Sequence, residues 1–164
     1  MKFCRADITL GLGVRQNGIV AGHKDLFSGN LVGHAMSERM TRNLVASRCF
    51  GVGANSPPHG LIHHSDRGSQ YASSSFRELL QILAAAPSMS RRANPYDNAM
   101  MESFFATLKT ECFDHIPETK EMARLMLFDY IEGFYNTRRL HSSLGYVSPV
   151  NFENQFNNKQ MQLS

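Results

Sequence analysis

Three acids carry the chemistry this sequence could perform: Asp7, Asp66 and Glu102. Carboxylates gathered from neighbouring elements suit hard divalent cations, magnesium or manganese rather than zinc. Two such ions, ~3.5–4 Å apart, could clamp an in-line phosphoryl displacement. Spacing alone does not select these residues. Asp66 and Glu102 are separated by 35 residues, and Glu78 and Asp114 are separated by the same number. Context distinguishes the pairs. Asp66 follows Leu61-Ile62-His63-His64, which reads as a short buried strand. The carboxyl end of a strand in an open α/β sheet is where ligand groups gather. Glu102 falls early in an amphipathic segment, where a helix dipole favours its charge. Lys109 is two turns further on and shares its face. Asp7 begins the first strand-like run and can occupy an adjacent central strand.

The remaining polar residues point less sharply. His63 and His64 read as strand positions flanking Asp66 rather than metal ligands. Ser65 and Ser69 lack an acid–base pair to activate them. Arg91 and Arg92 suit phosphates or a solvated loop face, and Arg138, Arg139 and His141 form the strongest basic patch elsewhere. Phe104, Phe105 and Leu108 read as core. The three cysteines, Cys4, Cys49 and Cys112, are too few and too far apart for a disulfide framework, and no C-x-x-C offers a structural zinc site. Net charge is +3 and the sequence pI about 8.9, which permits a nucleic-acid partner. No apolar run approaches the ~20 residues that span a bilayer, and no signal-peptide pattern opens the chain. The expectation is a cytoplasmic protein with no membrane partner.

The elements that must position these acids follow in order. Strands are expected over Ala6–Leu12, Gly18–Ala21 and Leu31–Met36, with Gly22, His23 and Lys24 interrupting the second and Phe27-Ser28-Gly29-Asn30 as a turn. Ser37 would cap a helix carrying Met40, Leu44 and Val45. After the Leu61–His64 strand, Ser73 or Ser74 would cap a helix with Phe76, Leu79, Leu80 and Leu83 on one face. Pro87-Ser88-Met89 reads as a short strand, and a helix is expected from about Ala99 to Cys112. A longer helix begins at Thr119 with Met122, Leu125, Met126, Ile131 and Phe134 as its apolar set. Residues 137–150 read as a loop. The order predicts one α/β domain over residues 1–150, a mixed sheet with an antiparallel meander and then parallel strands, flanked by helices. Residues 151–164, rich in Asn and Gln, read as a C-terminal tail, frayed or disordered: a frayed helix and then a disordered end.

The strings A-D-I-T, D-L-F-S, L-V-G-H-A-M-S, L-I-H-H-S-D-R-G-S-Q-Y-A-S, S-M-S-R-R, Y-D-N-A-M-M-E-S-F-F-A-T-L-K-T-E, F-Y-N-T-R-R-L-H-S-S-L-G-Y and S-P-V-N-F-E cover roughly residues 5–153. In them the chain resembles the integrase catalytic core of bacterial insertion-sequence transposases, the second-reading-frame product similar to retroviral integrase. The resemblance implies an RNase H-like fold with a five-stranded mixed sheet. It puts Asp7, Asp66 and Glu102 on an Asp-Asp-Glu catalytic and metal-binding triad for two magnesium or manganese ions. It implies DNA contacts at Lys109, and at Asn98 in the Tyr96-Asp97-Asn98 loop. Arg91, Arg92, Arg138, Arg139 and His141 are further candidates. The implied reaction is DNA cleavage and strand transfer at element ends and target, by a homodimer or a mixed oligomer with intact transposase, at the bacterial nucleoid.

Departures from the family accompany the match. His23 and Lys24 occupy positions expected to be apolar in the second strand, Gly29 stands where relatives carry arginine, and Ala84-Ala85-Ala86-Pro87 replaces a Gly-Ile step. The chain starts six residues before Asp7, without the helix-turn-helix regions of full-length relatives. These features make a truncated, catalytically impaired remnant the competing expectation. A general RNase H-like nuclease is a third, disfavoured by F-Y-N-T-R-R-L-H-S.

Overall fold

The computed structural model describes residues 3–12, 18–37, 60–66, 71, 73–90, 99–113 and 115–162; for residues 3–12 it describes the backbone only. The helix expected after Ser37 and the loop before Ala99 lie outside these residues.

The strands are β1 (Phe3–Leu12), β2 (Gly18–Asp25), β3 (Leu31–Ser37), β4 (Ile62–Ser65) and β5 (Ala86–Met89). They form one mixed sheet in the order β3-β2-β1-β4-β5. β1 is central, antiparallel to β2 and parallel to β4, and β5 is parallel to β4. β2 and β3 form a hairpin whose turn is built from short side chains. Asp25 Oδ1 accepts from Phe27 N at 2.8 Å, Ser28 Oγ accepts from Asn30 N at 3.3 Å, and Gly29 takes φ +73°. That backbone conformation is natural only to glycine.

The second strand does not stop at Ala21. It runs to Asp25 through Gly22, His23 and Lys24, all of them buried. Both faces of β2 are covered, so no polar–apolar alternation marks it. Its even positions face one helical layer: Val20 joins that core, a Cβ built on Gly22 would lie 3.6 Å from Met101, and Lys24 Nζ sits 5.8 Å from the Phe104 ring centroid. Its odd positions face the other way, where the His23 ring lies 5.4 Å from that of His63.

Helix α1 (Ser74–Ile82) crosses between β4 and β5. Ser73 caps it, accepting from Phe76 N at 3.3 Å. Phe76 and Leu80 pack with Leu61, Tyr71 and Ala85 on the His63 side of the sheet. Helix α2 (Ala99–Glu111) covers the opposite face through Met101, Phe104, Phe105 and Leu108. Helix α3 (Lys120–Phe128) runs directly into a π-helical turn, Asp129–Tyr135. The buried stripe keeps Ile131 of the expected set, with Met126 packed against it, and departs from that set elsewhere. Ala123, Leu127, Tyr130, Ile131 and Tyr135 are buried, whereas Met122, Leu125 and Phe134 are exposed. The inward stripe mixes aliphatic and aromatic residues, and Tyr130 can join it because its hydroxyl has a partner in Glu111.

Residues 137–148 include a 3₁₀ turn, Ser142–Leu144, closed by a bridge between His141 and Val147. Where composition suggests a frayed or disordered tail, the chain forms helix α4 (Pro149–Gln162). Ser148 Oγ accepts from Asn151 N at 3.4 Å, and Pro149 occupies the first turn, where its missing N–H is no loss. Phe152 and Phe156 rest their rings against Phe27 in the β2–β3 turn, so the helix is docked at one end.

Candidate active site

Asp7 lies in the interior of β1 rather than at its start. Its backbone pairs with Gly22 on β2 and stands one residue past the Ala6–Ser65 pairing on β4, level with Asp66. Partners across a sheet share a face. Gly22 faces α2, so position 7 belongs to the α2 side. Along β4, His63 points to the α1 core, and alternation brings positions 64 and 66 to the α2 side. Asp66 is half-buried, one residue beyond the strand. Glu102 is exposed in the first turn of α2, beside Met101, the residue nearest Gly22 on that helix.

The end of β4 is held by a set of short polar groups. Ser65 O accepts from Ser90 N at 2.9 Å and from Ser90 Oγ at 3.2 Å. The His64 ring reaches Ser88 Oγ at 2.9 Å through Nδ1 and Ser90 Oγ at 3.1 Å through Nε2. Ser65 Oγ donates to Asp66 O at 3.1 Å. Beneath them His63 is 1% exposed, and burial brings its pKa down to about 4. It is a neutral aromatic filler between Phe76, Tyr71 and His23, not a ligand toward Asp66.

The basic candidates divide. Lys109, in the last turn of α2, and Arg138 are exposed. Arg138 donates through Nε to Gly133 O at 2.6 Å. Arg139 is turned inward. Its Nη2 and Nε bind Glu111 Oε1 and Oε2 at 2.7 and 2.8 Å, and its guanidinium lies 5.9 Å from the Tyr135 ring centroid. Tyr130 OH donates to the same carboxylate at 2.7 Å. These bonds, Arg139 first, hold Glu111 below the usual glutamate range. His141 stacks edge-on against Tyr135 at 4.9 Å, and burial lowers its pKa. Arg139 and His141 are thus parts of the scaffold. Arg91, Arg92 and Asn98 lie outside the described residues.

Two structural roles escape a reading by charge. Asn136 is buried, accepting from Leu31 N at 2.9 Å and donating to Leu31 O at 3.1 Å, and so ties β3 to the C-terminal region. Glu111 ends α2, where the dipole disfavours an acid; that misplacement is the sequence signal for a partner such as Arg139. Among the described residues no group of three or more His, Cys, Asp or Glu is arranged to hold a metal, and the side chain of Asp7 is outside them. No described helix is long and apolar enough to cross a membrane.

Comparisons with known proteins identify the family and the fold. Two family models, each described as an integrase core domain, match residues 3–95 and 83–149. The transposase of insertion sequence element IS904 from Lactococcus lactis is 50% identical over 132 residues, 79% of this chain and 52% of that protein. An uncharacterized 31 kDa protein of insertion element IS600 from Shigella sonnei is 44% identical over 139 residues, 84% and 51% of the two chains. Transposase InsF of IS3fB from Escherichia coli is 40% identical over 134 residues, 80% and 46%. The chain spans about half the length of these curated relatives. Among solved structures, the catalytic core domain of BIV integrase matches with a TM-score of 0.63 at 18% identity, covering 99% of this chain and 98% of that one. The HTLV-2 integrase catalytic core, solved in complex with magnesium, gives 0.61 at 11% identity, covering 92% and 94%. The fold is the mixed α/β, RNase H-like fold of these cores.

Proposed function

The chain belongs to the integrase core domain family, and on that premise we propose that it acts as the catalytic core of an insertion-sequence transposase, cutting DNA and transferring strands. The observation that carries this is register. Position 7 on β1 and position 66, directly after β4, each follow the Ala6–Ser65 pairing by one residue, and Glu102 lies in the first turn of α2, which covers the sheet face of Gly22, the partner of Asp7.

The donor set fits a hard divalent cation: three carboxylates, one half-buried at a strand end and one exposed to solvent. Asp7, Asp66 and Glu102 would hold it. Bound there, one or two such ions would lower the pKa of a water or a 3′-hydroxyl and stabilise the leaving oxygen. The protein's own part is positioning. On this reading β1 carries Asp7, the end of β4 presents Asp66, and α2, anchored by its buried face, carries Glu102. Lys109 and Arg138 are exposed and suited to backbone phosphates, whereas Arg139 is committed to Glu111. In strand transfer a 3′-oxygen attacks a phosphorus atom, the bond to the neighbouring 3′-oxygen breaks, and that oxygen departs to take up a proton. The DNA partners are element ends and target, engaged as a homodimer or in mixed assembly with a longer transposase.

A second reading, a catalytically impaired remnant, is favoured by one observation: the buried cation of Lys24 under α2. One experiment separates the two. The purified chain is incubated with labelled element-end DNA and manganese, beside Asp66→Asn and Glu102→Gln. Manganese binding is measured in parallel by water-proton relaxation. Cleavage or strand transfer lost in both variants, with weakened manganese binding, supports an active core. Manganese binding without turnover supports the remnant, and binding that neither variant weakens refutes the site.

A further inference from the structure

We propose that Ser90 and His64 are positioning residues for Asp66, acting through a directed hydrogen-bond relay that fixes the end of β4. The proposal rests on Asp66 being a metal ligand.

The relay's direction follows from counting protons. Ser90 Oγ donates its single proton to Ser65 O at 3.2 Å. It therefore accepts from His64, 3.1 Å away, and Nε2 carries the proton. In the tautomer with its proton at Nε2, the ring accepts at Nδ1 from Ser88 Oγ, 2.9 Å away. The order is Ser88 hydroxyl to His64, His64 to Ser90 hydroxyl, and Ser90 hydroxyl to the carbonyl of Ser65. That carbonyl belongs to the peptide joining Ser65 to Asp66. It also accepts the Ser90 N–H at 2.9 Å, which satisfies both its lone pairs. Rotation of this peptide would break both bonds at once. Ser65 Oγ holds the next carbonyl, that of Asp66, at 3.1 Å. Two successive carbonyls are thus pinned at the point where the strand gives out and the acid must be aimed.

Both residues are sited for this and not for contact with DNA. Ser90 is buried, and His64 is half-buried between two hydroxyls. Neither contributes to the apolar cores. A serine and a histidine here satisfy one another and the β4 backbone, whereas a hydrophobic pair would leave Ser65 O with one bond fewer. Groups that orient a ligand typically alter metal affinity ~10–100-fold when removed.

The test uses the full chain and manganese. Ser90→Ala is expected to weaken manganese binding about tenfold, to leave duplex DNA affinity in metal-free buffer unchanged, and to speed hydrogen exchange at the Ser90 and Asp66 amides. Ser90→Thr keeps the hydroxyl and should restore all three. Asp66→Asn serves as the reference. If Asp66→Asn leaves manganese binding intact, the ligand assignment fails. If Asp66→Asn abolishes binding while Ser90→Ala leaves both binding and exchange unchanged, the relay is overturned. Should Ser90→Ala fail to fold, Ser88→Ala decides, because it removes only the outermost donor from a half-buried position. Faster exchange at Asp66 with weaker manganese binding supports the relay, and no change overturns it.

Discussion

Replacing Lys24 with methionine should stabilise the protein at neutral pH, by an amount that shrinks as the pH rises. Lys24 is 7% exposed, with Nζ 5.8 and 5.7 Å from the ring centroids of Phe104 and Tyr135. Burial, and then the nearby Arg139 charge, bring its pKa from 10.5 down to about 8. At about 1.4 kcal/mol for each pH unit, holding this cation in the fold costs about 3 kcal/mol. The two rings return about 1–2 kcal/mol of that as cation–π attraction. Methionine fills the stem's path without a charge, so the net gain should be about 1–2 kcal/mol, or roughly 3–6 °C in Tm for a chain of this size. The sign of the pH dependence is fixed by linkage. Between about 8 and 10.5 the unfolded chain keeps a proton that the folded chain has released, so wild-type stability relative to the variant rises with pH. The penalty is complete below the folded value and gone above the unfolded one. Urea denaturation of wild type and Lys24→Met at pH 7, 8.5 and 10 measures the gap directly, since other titrations cancel in the difference. A variant no more stable at pH 7, or a gap that stays constant to pH 10, would refute the reasoning.

Three further outcomes follow from the C-terminal network. Asn136→Ala leaves Leu31 N–H and C=O buried without partners and should cost about 2–4 kcal/mol; a urea midpoint within error of wild type would show that β3 does not depend on this tie. The folded pKa of Glu111 is depressed, so its stabilisation is present above the ordinary glutamate value and lost as pH falls through the folded one. Glu111→Gln should therefore cost about 1 kcal/mol at pH 7, a figure discounted for its partial exposure, and less as the pH is taken down below the ordinary glutamate value; a gap that does not narrow on acidification would sink the assignment. Lys109→Ala should reduce the salt dependence of DNA affinity by about one phosphate's worth, whereas Arg139→Ala should leave that slope unchanged while lowering Tm.

The sequence was most legible where one face is apolar and the other is not. α1 and α2 fall within two residues of their expected limits because each carries an apolar stripe and a local cap signal, and β4 does so because a short run beginning Leu61-Ile62 is bounded by a turn. Legibility failed where a strand is buried on both sides. Gly22, His23 and Lys24 read as an interruption because neither polarity nor period marks a strand sandwiched by α1 and α2. At α4, which is polar nearly all round, a frayed helix was legible from Asn151 but its start at Pro149 and its run to Gln162 were not. There Ser148-Pro149 is an N-terminal helix signal that composition masked. For the proposed site, the surroundings of Asp66 and Glu102 are what single them out in the sequence. The role of Arg139 was not legible, because the only signal lies 28 residues earlier, in an acid misplaced at the end of α2.

The seam between β2 and α2 is where scaffold and chemistry meet, and Gly22 tests it. It pairs with Asp7, and a Cβ built on it would lie 3.4 Å from Leu31 Cδ1 and 3.6 Å from Met101 Cε. Those are ordinary contact distances, so alanine fits. Gly22→Ala should be neutral or gain about 0.5–1 kcal/mol, because a strand glycine loses the most freedom on folding. Valine adds two methyls directed at the same side chains and at Phe104, 3.8 Å from the built Cβ. Overpacking of that kind costs about 1–3 kcal/mol, or moves the neighbour instead. The neighbour is Met101, and Glu102 follows it on the helix. Gly22→Val should therefore weaken manganese binding as well as stability, while Gly22→Ala weakens neither. If valine lowers the urea midpoint and leaves manganese binding untouched, α2 does not carry its acid rigidly from this seam, and the first turn must be fixed from elsewhere.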